Sequence, residues 1–268
     1  MTQYLTKEEV ADFVERGWTV LRGGFSREVA EAVLDALSLK CGANLRDPNA
    51  WIVPSIWLKE AYSGSPWIDA VTPAFAAAMD QLVGMNRWQP LTEMGWWPIR
   101  FPGFENPPFG QEWHAGDDWH IDGRFPHCLS SPEQAILNFF LFTDHEPGGG
   151  GTLFAEGSHL RAAEILAAIR PAVIDADELT ARVASSPSAF ASIAETTGAA
   201  GDIILAHPLL LHSSSHNAGT RPRVMASPRT DCFAPKRCKG ADLSPVEIVM
   251  ARGLQRLRGV DSEEVKCL

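Results

Sequence analysis

Polar and apolar positions alternate along this chain with two different periods, and the change between them divides it. Near the start, Val10, Phe13 and Val14 fall on one face of a short helix. Thr6 with Glu9 three positions later forms a capping box, and Gly17 ends that helix. Residues 18–21 read as a strand. Ser26 followed by Val29, Ala30, Val33, Leu34 and Leu37 predicts a second, longer amphipathic helix. Residues 42–54 are loop-like, and the alanine-rich stretch 66–82 has a helical pattern. From Pro90 the chain turns to short apolar runs broken by Gly and Pro, which predicts strands at 94–101, 119–122, 134–142 and 152–155. Further strands are expected at 202–206, 210–214 and 224–233. Helices at 159–169 and over the 175–190 region cover one side, and another closes the chain at 244–257. Residues 104–116, rich in Pro and Gly, form a loop.

Short strands in this order fit one domain over residues 1–268, mainly β with flanking helices: a double-stranded β-helix, the jelly roll of cupin-like proteins. Its expected parts are a helical N-terminal flank over about 1–90, a β core over about 91–235 and a C-terminal helix over about 244–258. No repeat or linker composition divides it.

An apolar fraction of 45% with 21% charged residues is that of an ordinary globular protein. The net charge of −10 excludes a nucleic-acid partner, because no basic excess displaces phosphate counterions. There is no secretory-type start and no apolar run long enough to span a bilayer, so a cytoplasmic protein that keeps clear of membranes is expected. The five scattered cysteines (Cys41, Cys128, Cys232, Cys238 and Cys267) read as reduced thiols. Nothing in the sequence fixes an oligomeric state.

The chemistry concentrates at Trp119-His120-Ile121-Asp122-Gly123-Arg124. On a strand, His120 and Asp122 share a face while Ile121 points away. A third ligand is on offer among His207, His212 and His216. His212 and His216 lie about 13 Å apart along a strand and cannot share an ion, and His207 precedes Pro208 at an expected turn. Two histidines and one carboxylate, with other positions open, make the ligand set of non-heme Fe(II) oxygenases. Arg221 and Arg223 follow, on one expected strand face that periodicity does not separate. Asn138 is the one polar residue in an apolar strand, and Thr152 follows the glycine turn. Each has a plain packing role as its alternative.

These pieces resemble the phytanoyl-CoA dioxygenase (PhyH) family of Fe(II)/2-oxoglutarate enzymes. The similarity extends through the leading helix and first strand (Leu5 to Arg22), the His120-Ile121-Asp122 motif, the segment from Gly149 to His159, and the run from His207 to Arg223. The resemblance implies His120, Asp122 and His212 as ligands of Fe(II), and O2 and 2-oxoglutarate as co-substrates. Arg223 would hold 2-oxoglutarate, with Asn138 and Thr152 as further contacts. Related halogenases replace the carboxylate with a small residue; Asp122 is kept, so hydroxylation of a small metabolite or natural-product intermediate is expected, with release of succinate and CO2. Arg124 and Trp113 are the candidate substrate contacts. Most of the nine tryptophans are expected in the core. His114, His127, His145 and His159 are expected to be structural. A cupin-like metal-binding protein without oxygenase activity is the alternative, and an arginine after the distal histidine separates the two.

Overall fold

The computed structural model describes residues 4–104 and 118–257. In chain order the elements are α1 (Lys7–Arg16), β1 (Trp18–Leu21), α2 (Arg27–Cys41), β2 (Ser55–Tyr62), α3 (Pro73–Leu82), β3 (Met94–Arg100), β4 (Leu137–Leu141), β5 (Leu153–Ala155), α4 (Ser158–Ala168), α5 (Ala176–Ala184), β6 (Ile193–Glu195), β7 (Ile203–Ala206), β8 (His212–Ser213), β9 (Arg223–Ala226) and α6 (Pro245–Leu257). The expected caps form. The Thr6 hydroxyl accepts from the Glu9 N–H while the Glu9 carboxylate accepts from the Thr6 N–H. Gly17 closes α1 at φ +98°, a conformation costly for any residue with a Cβ.

The strands form two antiparallel sheets, a large one in the order β1-β7-β4-β9-β3-β2 and a small one in the order β6-β5-β8. Together they make the expected jelly roll. Leu137, Phe139 and Leu141 of β4 pack with Phe154, Ile204, Leu210 and Met225 between the sheets. The alternate residues Ile136, Phe140 and Phe142 join the larger core that includes Phe13 of α1, Val33 and Leu37 of α2, Phe75 and Met79 of α3 and Leu166 of α4. The inner strands β4 and β7 are therefore sandwiched, which accounts for their nearly unbroken apolar sequences.

Three expectations change. The N-terminal flank is not only helical: β2, an exposed edge strand without clean alternation, joins the large sheet beside β3. The strand expected at 119–122 is a single bridge between His120 and His212. The strand expected at 224–233 stops at Ala226. Cys41, Cys128, Cys232 and Cys238 are free thiols. Cys267 and the candidate contact Trp113, with most of the 104–116 loop, lie outside the described residues. Among those described, no helix is long and apolar enough to cross a membrane.

Helices α4 and α6 cross closely where Gly253 meets Ala163. A Cβ on Gly253 would sit 2.6 Å from the Ala163 carbonyl oxygen. Gly253→Ala is therefore expected to destabilise the fold by about 1–3 kcal/mol, the cost of overpacking against rigid backbone. Denaturant unfolding measures it, and an unchanged midpoint would contradict so tight a crossing.

Candidate metal centre

His120 and His212 are brought face to face by backbone pairing. The His120 N–H donates to the His212 carbonyl (2.8 Å) and the His212 N–H to that of His120 (2.9 Å). Their rings are 4.3 Å apart. Each ring is oriented through its Nδ1, which donates to the Asp118 carbonyl (2.5 Å) in His120 and to the Leu210 carbonyl (2.9 Å) in His212. That leaves both Nε2 atoms toward Asp122, whose Oδ1 is 3.3 Å from His120 and whose Oδ2 is 3.8 Å from His212. One ligand atom from each of the three lies within 4.8 Å of the others. Two imidazoles oriented by backbone carbonyls beside one carboxylate, all on one side of an open chamber, suit a divalent transition metal.

The surroundings hold this segment in place. The Asp118 carboxylate accepts from the Ser213 hydroxyl (2.5 Å) and the Ser214 N–H (3.1 Å), tying the segment to β8. The Ile121 N–H donates to Thr180 of α5 (2.9 Å). Gly123, at φ +117°, lets the Phe125 ring pass 2.3 Å from where a Cβ would stand, so the chain turns away directly after Asp122. Burial opposes a charge on His120, but the hydrogen bond and charge of Asp122 outweigh it and lift the imidazole to about 8. Burial also opposes a charged Asp122, yet His212 and the hydrogen bond from His120 hold its carboxyl down at about 2. Burial, then the neighbouring charge of His120, keeps His212 below its ordinary value.

Beyond the trio lies a chamber of about 280 Å³, lined in part by Phe139, Thr152, Arg223 and Met225. Arg223 is 3% exposed. Its guanidinium donates to the Thr152 hydroxyl (2.8 Å) and the Pro98 carbonyl (3.2 Å), and its Nε has no hydrogen-bond partner. Burial, then the charge of Arg100, lowers it to about 9. Among the described residues it forms no ion pair, so this is a buried cation suited to an anionic ligand. His145, pushed to about 3 by burial and by Arg223, adds no competing charge. Arg221 is placed differently. It lies in the turn before β9, exposed, and pairs with Asp144 at 3.2 Å.

Asn138 does not sit in this chamber, contrary to expectation. It shares the Phe140 face of β4, where its amide donates to Thr230 (2.8 Å), and it borders an adjoining cleft of about 580 Å³. The two cavities meet at Trp96, Asp122, Gly123, Arg124 and Ser227. Arg124 is exposed there, with no ion pair among the described residues. Gln134, which the sequence did not single out, donates to Asp122 Oδ2 at 3.5 Å, from a backbone held at φ +52° by the Asp231 carboxylate. Of the histidines set aside, His114 lies outside the described residues. His159 and His207 are fully buried, His159 hydrogen-bonded to the Val14 carbonyl and His207 to that of Val246. A cavity of about 610 Å³ among α4, α5 and α6 holds none of the residues expected to carry chemistry.

The family model described as Phytanoyl-CoA dioxygenase (PhyH) matches residues 13–225. The chain belongs to this family. The PhyH segment contains the trio, Arg223 and every residue lining the chamber but Ser227. No curated protein matches the sequence. Among solved structures, the PhyH chain is similar to SnoN, a non-heme alpha ketoglutarate dependent epimerase from nogalamycin biosynthesis. They share 17% identity with a TM-score of 0.50, over 84% of this chain and 82% of that one. Another SnoN structure holds Fe3+, alpha ketoglutarate and nogalamycin RO; it has 18% identity and a TM-score of 0.50, with the same coverage. EvdO2 from Micromonospora carbonacea var. aurantiaca is similar at 15% identity and a TM-score of 0.50, over 90% of this chain and 96% of that one. At such identities these likenesses carry the jelly-roll fold.

Proposed function

We propose that this PhyH protein is an Fe(II)- and 2-oxoglutarate-dependent dioxygenase that hydroxylates a C–H bond of a small molecule, a metabolite or natural-product intermediate. The observation that carries the reading is Arg223, a buried cation without an ion pair among the described residues, in the same chamber as a His-Asp-His trio. His120 and His212 through Nε2, and Asp122 through a carboxylate oxygen, would hold the iron. Arg223 would grip the far carboxylate of 2-oxoglutarate with its guanidinium fork, and Thr152 would steady that fork. Arg124, at the shared mouth of both cavities, would meet an anionic group on the substrate. Bound there, Fe(II) with 2-oxoglutarate and O2 supplies an oxidant able to attack an unactivated C–H bond, while 2-oxoglutarate leaves as succinate and CO2. The chain's own part is to hold the co-substrate in one orientation and to keep bulk water from the chamber, whose wall includes the apolar side chains of Phe139 and Met225.

Turnover with 2-oxoglutarate labelled at its first carbon tests this. Labelled CO2 and equimolar succinate are expected, dependent on added Fe(II) and on O2. No label release under any combination of the two would end the oxygenase reading. With a substrate in hand, a product heavier by one oxygen atom identifies hydroxylation; succinate formed with a product of unchanged mass identifies an epimerisation.

A further inference from the structure

We infer that the substrate is a polar ring compound, stacked by one ring face on Trp96, and not an acyl chain. The inference rests on the oxygenase reading only for the place of the reacting metal. Strand β3 carries Trp97 in the core, fully buried, yet its neighbour Trp96 is 45% exposed and faces the chamber. Successive residues of a strand face opposite ways, and a bulge lies beside the pair. Leu58 pairs with Trp97 and Ala61 with Gly95, so Lys59 and Glu60 both stand opposite Trp96. Gly95 permits the close approach, since a Cβ there would meet that of Ala61 at 2.7 Å. Trp96 itself is held at φ +60°, a left-handed conformation that tryptophan rarely adopts. The Ser227 N–H is shared between the carbonyls of Gly95 (3.2 Å) and of Trp96 itself (3.0 Å). Bulges beside active sites re-aim side chains, and strained residues collect where a ligand is clamped.

The indole has a second wall. Trp57 of β2, 46% exposed, meets Trp96 edge-on at 6.0 Å, and both line the chamber. The chamber's 280 Å³ suffices for a co-substrate of the size of 2-oxoglutarate. Trp96 also borders the adjoining 580 Å³ cleft, which is left for the substrate. Lys59, Glu93, Arg124, Arg229 and Asp231 line that cleft, with Asn138, whose Oδ1 is buried without a hydrogen-bond partner. A hydrocarbon chain laid there would strip water from these charges and return nothing. A ring bearing hydroxyl or amino groups gives hydrogen bonds to them and a flat face to the indole.

The test uses the full chain loaded with Zn(II) and 2-oxoglutarate, observed by saturation-transfer NMR. The ring probes are methyl β-maltoside, glucosamine and naringenin, and the chain probes are octanoate and dodecanoate. At least one ring probe is expected to receive saturation at its ring protons. Trp96→Phe should keep that signal, and Trp96→Gly should weaken binding roughly tenfold or more, the scale set by truncating an aromatic anchor. Because glycine adopts φ +60° freely, Trp96→Gly should leave the thermal midpoint unchanged or higher. The inference is overturned if no ring probe binds, if only the chain probes bind, if Trp96→Gly binds as the wild type does, or if its midpoint falls, which would make Trp96 a packing residue. The methylene protons of 2-oxoglutarate report separately. Their silence beside a bound ring probe would count against the oxygenase reading and leave Trp96 assigned.

Discussion

Asp122→Ala is expected to weaken Fe(II) binding by at least about 100-fold and to abolish succinate formation. Removing an outer-shell partner of a metal ligand already costs about 10–100-fold, and Asp122 is the one carboxylate in the trio. Its loss also leaves His120 and His212, with rings 4.3 Å apart, without the negative charge that lies between their Nε2 atoms. Calorimetry with Fe(II) or Co(II), with oxygen excluded, measures the first effect; label release from 2-oxoglutarate measures the second. Turnover like that of the wild type would remove Asp122 from the ligand set.

Arg223→Ala is expected to raise the 2-oxoglutarate dissociation constant by roughly 30-fold or more. Truncating one partner of a buried, hydrogen-bonded charge pair costs about 2–5 kcal/mol, and Arg223 is buried and lines the chamber. Arg221→Ala is the control. Arg221 lies on the surface against Asp144 and Glu146, where losing an ion pair is worth about 1 kcal/mol at most and bears on no ligand. Its 2-oxoglutarate affinity should match the wild type. The opposite outcome, loss only in Arg221→Ala, would overturn the assignment.

How far the sequence could be read depended on whether local pattern or tertiary placement decided each point. Thr6, Gly17 and Ser26 mark helix ends through bonds to residues three or four positions away, and these were legible. His120 and Asp122 were legible from their spacing, although the regular strand behind that reasoning is only a bridge; the convergence survives because His120 pairs directly with His212. Alternation did not separate Arg221 from Arg223 because β9 begins at Arg223, leaving Arg221 in a turn where alternation does not apply. Asn138 was misplaced because β4 is buried on both faces, and its sequence does not say which face meets the chamber. Trp96 and Trp97 look alike in sequence. Alternation turns one each way, and which of them meets the core is decided by distant packing, that of Trp67 and Phe142 around Trp97. Asp118 and Gln134 carried no local signal. Asp118 acts through bonds to Ser213 and Ser214, far along the chain, and Gln134 through one contact to Asp122.

The measurement that tests the central claim most directly is anaerobic. Fe(II) and then 2-oxoglutarate are added to the metal-free protein, and the weak visible charge-transfer absorption of a chelated complex is followed. The band is expected to form in the wild type, to weaken in Arg223→Ala and to be absent in Asp122→Ala. Iron binding without the band would contradict the account, and a cupin-like metal-binding protein without oxygenase activity would take its place.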